Sequence, residues 1–215
     1  VENFFSDSLV NMHYKYQDLI QLFNDTFFEE FNTRLIKGGD EPIYLPANSL
    51  PANSLLTSNL LETTSSTDEP RTYHQIIFAR GYYASAFHEI SHWCQAGEKR
   101  RLLEDFGYWY NPDGRDELQQ NKFEQVEVIP QAIEWAFNIA AQRKFHVSSD
   151  NLNGFQADTN RFQKRVFQQV QVFLTSGFPV RANQFIEVLA EFYNTPLPLT
   201  IENFSKIKKD NVCLS

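Results

Sequence analysis

The stretch Phe87-His88-Glu89-Ile90-Ser91-His92-Trp93 constrains this chain more than any other. Two histidines four positions apart project from one face of an α-helix, within reach of a single metal ion. The run is partly apolar, contains no Gly or Pro, and is preceded by helix-compatible residues. Glu89 lies next to the first histidine, near the same ion. Two imidazoles make an incomplete site, so the rest of the fold must deliver a third ligand.

The segments around this helix read as a mostly helical α+β chain with a small sheet beside the metal-ligand helix. Tyr16, Leu19, Ile20, Phe23 and Phe27 repeat at helical spacing and predict an amphipathic helix over about 13–31. Thr33 to Ile36 and Pro42 to Leu45 read as two short strands joined as a hairpin around Gly38-Gly39, with Pro42 favouring an edge. Residues 46–70 repeat Pro-Ala-Asn-Ser-Leu twice and then turn Ser/Thr-rich, which predicts an inserted, mobile surface loop. His74 to Ala79 reads as a strand leading into the His88 helix, which spans about 82–95 with Gly97 as a stop. Phe106 to Tyr110 is aromatic and strand-like, ending in the turn Asn111-Pro112-Asp113-Gly114. Helices are expected over about 123–141, started or kinked at Pro130, then over 159–176 and 181–193. Residues 1–215 are read as a single catalytic domain with a frayed tail over 205–215.

Composition narrows the functional classes. The 215 residues carry a formal net charge of −8, which argues against direct binding of nucleic acid or an anionic membrane. No apolar run is long enough to span a bilayer, and the first residues lack the pattern of a signal peptide. Two cysteines, Cys94 and Cys213, form no disulfide framework and fit a reducing cytoplasm. Cys94 is read as a buried thiol. His13, His74 and His146 stand singly, without ligand spacing, and are read as structural.

A carboxylate on a later helix is the usual third ligand, and Glu124, Glu127 and Glu134 are the candidates. Glu127 is preferred because Gln131 lies one turn on, where it can hold the ligand in place. Glu134 has Asn138 at the same offset, and Asp113 and Asp116 read as turn and cap residues. Two chemistries fit His88, His92 and a carboxylate. With Zn(II), bound water is acidified and Glu89 serves as the general base of a metallopeptidase. With Fe(II), the same three ligands leave positions for O2 and substrate, as in non-haem iron oxygenases. A non-catalytic metal-binding protein is the third possibility.

A longer pattern surrounds the motif. Glu41-Pro42-Ile43-Tyr44-Leu45-Pro46, Ala84 to Cys94, Asp105-Phe106-Gly107-Tyr108-Trp109-Tyr110-Asn111-Pro112-Asp113-Gly114-Arg115-Asp116, Phe123 to Ala132 and Val147 to Leu152 resemble the elongation factor P hydroxylase family in one order. The resemblance runs from about Tyr16 to Tyr193, and the insertion over 46–70 departs from it. It implies an Fe(II)-dependent monooxygenase that uses O2 to hydroxylate the β-lysylated lysine of elongation factor P. It implies His88, His92 and Glu127 as metal ligands, with Glu124 in the same matched segment, and Glu89 as a proton-handling group rather than a peptidase base. Because the chain is acidic, docking of an acidic translation factor is expected through a local basic face at Lys99, Arg100 and Arg101.

Overall fold

A computed structural model describes residues 15–48, 71–107, 113–149, 151, 153–156 and 158–205. The expected insertion from residue 49 onward, Tyr108 to Pro112, His13 and most of the expected tail lie outside these residues. Helix α1 (Tyr16–Phe31) leads into strands β1 (Thr33–Lys37), β2 (Ile43–Leu45) and β3 (His74–Phe78), and then into α2 (Tyr83–Gln95). Helices α3 (Glu117–Ala140), α4 (Thr159–Ser176), α5 (Val180–Phe192) and the short α6 (Ile201–Ser205) follow. The mostly helical α+β reading therefore holds.

The sheet corrects one expectation. Its order is β1-β3-β2, with β3 parallel to β1 and antiparallel to β2, so β1 and β2 do not form a hairpin. β3 carries Ile76, Ile77 and Phe78, and as the most apolar strand it takes the centre, where both edges are paired. Gly38 permits this arrangement. Its amide donates to Phe78 O, and a Cβ there would collide with the Ile77 side chain.

Two other boundaries shift. α3 begins at Glu117 rather than near Phe123, because Asp116 and Gln119 form a capping box: Gln119 N donates to Asp116 Oδ1 at 2.8 Å and Asp116 N to Gln119 Oε1 at 3.0 Å. Pro130 sits inside α3 and does not start it. Phe106 is not strand-like, since it lies in a one-turn helix over Glu104–Gly107 with Asp105 and Phe106 at φ 44° and 57°. Gly107 continues the left-handed run at φ 70°.

α2 is pinned by its apolar face. Trp93 lies edge-on against Phe23, Phe27 and Phe31 of α1, at centroid distances of 5.2, 4.9 and 5.4 Å. Phe87 packs on Phe137 of α3, which in turn meets Phe185 of α5. Each such ring removed from water stabilises the fold by about 1.5–3 kcal/mol. At the end of α2, Arg181 donates to the carbonyls of Trp93, Cys94 and Ala96, which the helix itself leaves without donors. The opposite face of α2 is thereby held against α3, and that face carries His88 and His92.

Candidate metal centre

Helical spacing on two helices builds the site. His88 and His92 stack one turn apart on α2, and their Nε2 atoms lie 3.2 Å from each other. Glu127 projects from α3 with Oε1 3.2 Å from His92 Nε2 and Oε2 3.6 Å from His88 Nε2. One donor atom from each of the three residues falls within 4.8 Å of the others. Ligands bound at about 2.0–2.2 Å to one ion stand roughly 3.0–3.6 Å apart, so these three donors fit a single divalent cation. Glu127 is fully buried, and its Oε1 faces the His92 imidazole. His88 is the open side: its side chain is 29% exposed, against 7% for His92.

The other two glutamates proposed as third ligands are engaged elsewhere. Glu134 Oε2 meets His88 Nδ1 at 3.1 Å, on the far side of the ring from Nε2. Glu124 faces α4, with Oε2 3.0 Å from Arg165 Nη1 and 3.5 Å from Arg161 Nη2. Asp116 caps α3, and Asp113 accepts from Gly114 N and from Asn153. His74 accepts from Ala47 N and stacks on Tyr44, while His146 is exposed. Cys94 is a buried free thiol, held protonated by its burial.

Gln131 fixes α3 to the loop that follows it. Its Nε2 donates to Glu127 Oε2 at 3.4 Å and to Ser148 O at 2.7 Å, and its Oε1 accepts from Ser148 N at 3.0 Å. Arg115 Nη2 and Gln120 Nε2 both donate to Ser149 O, so the loop is clasped at two successive residues.

His88 and Glu127 shift each other's protonation. Burial alone would push the Glu127 carboxyl up, yet the His92 and His88 rings beside it hold it at about 2. Burial alone would push His88 down, but Glu127, then Glu134 and Glu89, push it up to about 10. Glu89 is raised, mainly by burial, with Asp105 and Glu127 adding to the effect against the two histidines. Its carboxylate is partly buried and makes no hydrogen bond to the described residues.

One contributor escaped the sequence. The left-handed turn at Asp105-Phe106-Gly107 sets the Phe106 ring parallel to His92, at a centroid distance of 6.4 Å, and 4.2 Å from Tyr44. Tyr44 N donates to Asp105 Oδ1 and Arg100 Nη1 to Phe106 O, holding a backbone conformation that costs about 1–2 kcal/mol per non-glycine residue. The signal was Asp followed two positions later by Gly, both tolerant of positive φ, within a run that otherwise reads as a strand.

A family model described as elongation factor P hydroxylase matches residues 22–204 of the chain. The elongation factor P lysine hydroxylase of Haemophilus influenzae is 48% identical over 193 residues, which cover 90% of this chain and 97% of that protein. This chain belongs to the elongation factor P hydroxylase family. The matched range takes in α2, α3, the Phe106 turn and the Ser148 loop, so every group described around His88 and His92 lies within the hydroxylase match. Among the described residues, no helix is long and apolar enough to cross a membrane.

Proposed function

We propose that this chain is a metal-dependent protein-lysine hydroxylase, a non-haem monooxygenase that uses Fe(II) and O2 on the β-lysylated lysine of elongation factor P. The observation that carries the proposal is the convergence of His88 Nε2, His92 Nε2 and a Glu127 carboxylate oxygen inside a chain of this family. Two imidazoles and one carboxylate suit Fe(II), and Zn(II) can occupy the same donors. When bound, the metal supplies redox activation of O2 at the positions the protein leaves open. One oxygen atom enters a lysine C–H bond and the other leaves as water, with two electrons and two protons drawn from an external reductant.

The protein's own residues prepare that chemistry. Gln131 holds the Glu127 carboxylate at Oε2, leaving Oε1 for the ion. His88 is more exposed than His92, so approach is from the His88 side. Glu89, whose carboxyl protonates more readily than an ordinary glutamate, is suited to hold a proton beside the trio. In this reading residues 1–215 act as one catalytic domain in the cytoplasm, with a protein substrate and no direct contact to nucleic acid.

The basic face at Lys99 to Arg101 remains the proposed docking point for the acidic substrate protein, with Lys99 as its clean probe. Arg100 Nη1 donates to Phe106 O and Arg101 Nη1 to Ala96 O, so reversing either arginine disturbs the site itself. Lys99 is exposed and makes no such bond.

The deciding experiment is intact-mass analysis of β-lysylated elongation factor P after incubation with anaerobically purified, Fe(II)-loaded protein, a reductant and O2. A gain of one oxygen supports the proposal. Backbone cleavage, the outcome expected of a zinc peptidase using Glu89 as base, or an unchanged mass would overturn it.

A further inference from the structure

The two ring ligands are held in different ways. His92 is buried, and the Phe106 ring lies parallel to it at a centroid distance of 6.4 Å. Among the described residues, the aromatic ring His88 meets is that of His92, nearly edge-on at an interplanar angle of 74°. A partly exposed imidazole can rotate about χ2 and can carry its proton on either nitrogen. Rotation would turn the Nε2 lone pair away from the site, and a proton on Nε2 would occupy it.

Glu134 stands where it prevents both changes. It lies seven residues beyond Glu127 on α3, two helical turns along the same face, with Gln131 between them. Its side chain is 10% exposed, and Oε2 lies 3.1 Å from His88 Nδ1. A carboxylate can only accept there, so it requires the proton on Nδ1 and leaves Nε2 with a free lone pair. Asn138 Nδ2 donates to Glu134 O at 2.9 Å and ties this turn of α3 at its backbone. Position argues against a ligand role, because Glu134 sits behind the His88 ring rather than among the three converging donors.

We propose that Glu134 is a positioning residue of the metal centre: its carboxylate accepts the Nδ1–H of His88 and sets that ring's tautomer and rotation, aiming Nε2 at the ion. The inference rests on the metal centre proposed above and extends it. α3 then supplies a ruler of three side chains: Glu127 as ligand, Gln131 holding that ligand, and Glu134 holding the ligand of the neighbouring helix.

The test is equilibrium binding of Co(II), followed by its d–d absorption, to the wild type, Glu134→Ala, Glu134→Gln and Glu127→Ala, with thermal unfolding of each metal-free protein recorded alongside. Glu134→Ala should weaken Co(II) binding by about 10–100-fold and move the d–d bands without lowering the coordination number. Glu134→Gln, whose amide oxygen can still accept from Nδ1–H, should stay within about tenfold of the wild type. A second readout, ¹⁵N–¹H NMR of the Zn(II)-loaded wild type, should show a slowly exchanging His88 Nδ1–H that is lost in Glu134→Ala and kept in Glu134→Gln. Wild-type affinity and spectrum in Glu134→Ala would overturn the positioning role and leave the centre standing. Loss of a ligand band as complete as in Glu127→Ala would make Glu134 a ligand and also overturn it. A wild type that binds no Co(II) would remove the centre itself.

Discussion

Glu124 and Glu127 are both fully buried on α3, three residues apart, yet they face different helices and different kinds of cation. Glu124 turns to α4 and meets the guanidinium groups of Arg165 and Arg161. Glu127 turns to α2 and meets two imidazoles. A guanidinium is always charged, so the α3–α4 seam carries its counter-ion permanently. An imidazole is charged only when protonated, so the α2–α3 seam must take its positive charge from a proton or a metal ion. The same residue type at nearly the same depth therefore closes one seam and makes the other receptive.

The strongest way to break this contrast is to remove each carboxylate in turn. Glu127→Ala should abolish oxygenation of the protein substrate, a loss of at least about 100-fold, because the proposed third ligand is removed. Glu124→Gln should leave the folded enzyme within about twofold of wild type when oxygen incorporation is followed by mass spectrometry, because Glu124 touches none of the ligands. A large loss in Glu124→Gln would merge the two seams into one site.

Stability should show the reverse order. Arg165→Ala leaves the Glu124 carboxylate buried with only Arg161 at 3.5 Å, and should cost about 2–3 kcal/mol in urea unfolding. That value is at or below the low end for buried pairs because Arg165 itself is 35% exposed. Metal affinity of the folded fraction should not change.

The receptive seam should also respond to pH. His88 is raised from 6.5 to about 10, so in metal-free protein its contribution is complete below 6.5 and lost as pH rises through about 10. Glu127 is lowered from 4.5 to about 2, so its contribution is complete above 4.5 and lost as pH falls through about 2. For this pair the seam is therefore tightest between 4.5 and 6.5, and melting temperature should fall from there toward pH 10, with the raised Glu89 adding to the fall above 4.5. Zn(II) should flatten that alkaline fall, because metal replaces the proton on His88, and its affinity should rise over the same range. Melting curves with and without Zn(II) at several pH values check both statements. The smallest effect expected is from Lys99→Glu, a decrease of about two- to fivefold in the rate on the protein substrate at low salt and less at high salt. An unchanged rate would remove the proposed docking face.

Much of this contrast was legible in the sequence, and its limits have physical causes. The His88–His92 helix could be read directly because four-residue spacing fixes a shared face whatever surrounds it. Glu127 could be preferred through Gln131, a local relation along one helix. The partners of Glu124 and Glu134 could not be read, because all three glutamates occupy similar positions along α3 and their separation depends on which helix packs on which side. Arg165 lies 41 residues from Glu124, and no periodicity links them. The sheet order failed for the same reason: Gly38-Gly39 suggested a local hairpin, whereas pairing with β3 was decided by burial of a strand about 35 residues away. The Asp116–Gln119 capping box is a local signal that α3 starts early, ahead of the apolar repeat beginning at Phe123.

The contrast between the seams reduces to one titration. Fe(II) added anaerobically to metal-free wild type, Arg165→Ala and Glu127→Ala should give one tightly bound equivalent in the first two and no tight binding in the third. Full Fe(II) occupancy in Glu127→Ala, or loss of the ion from folded Arg165→Ala, would contradict the assignment of the α2–α3 seam as the metal centre.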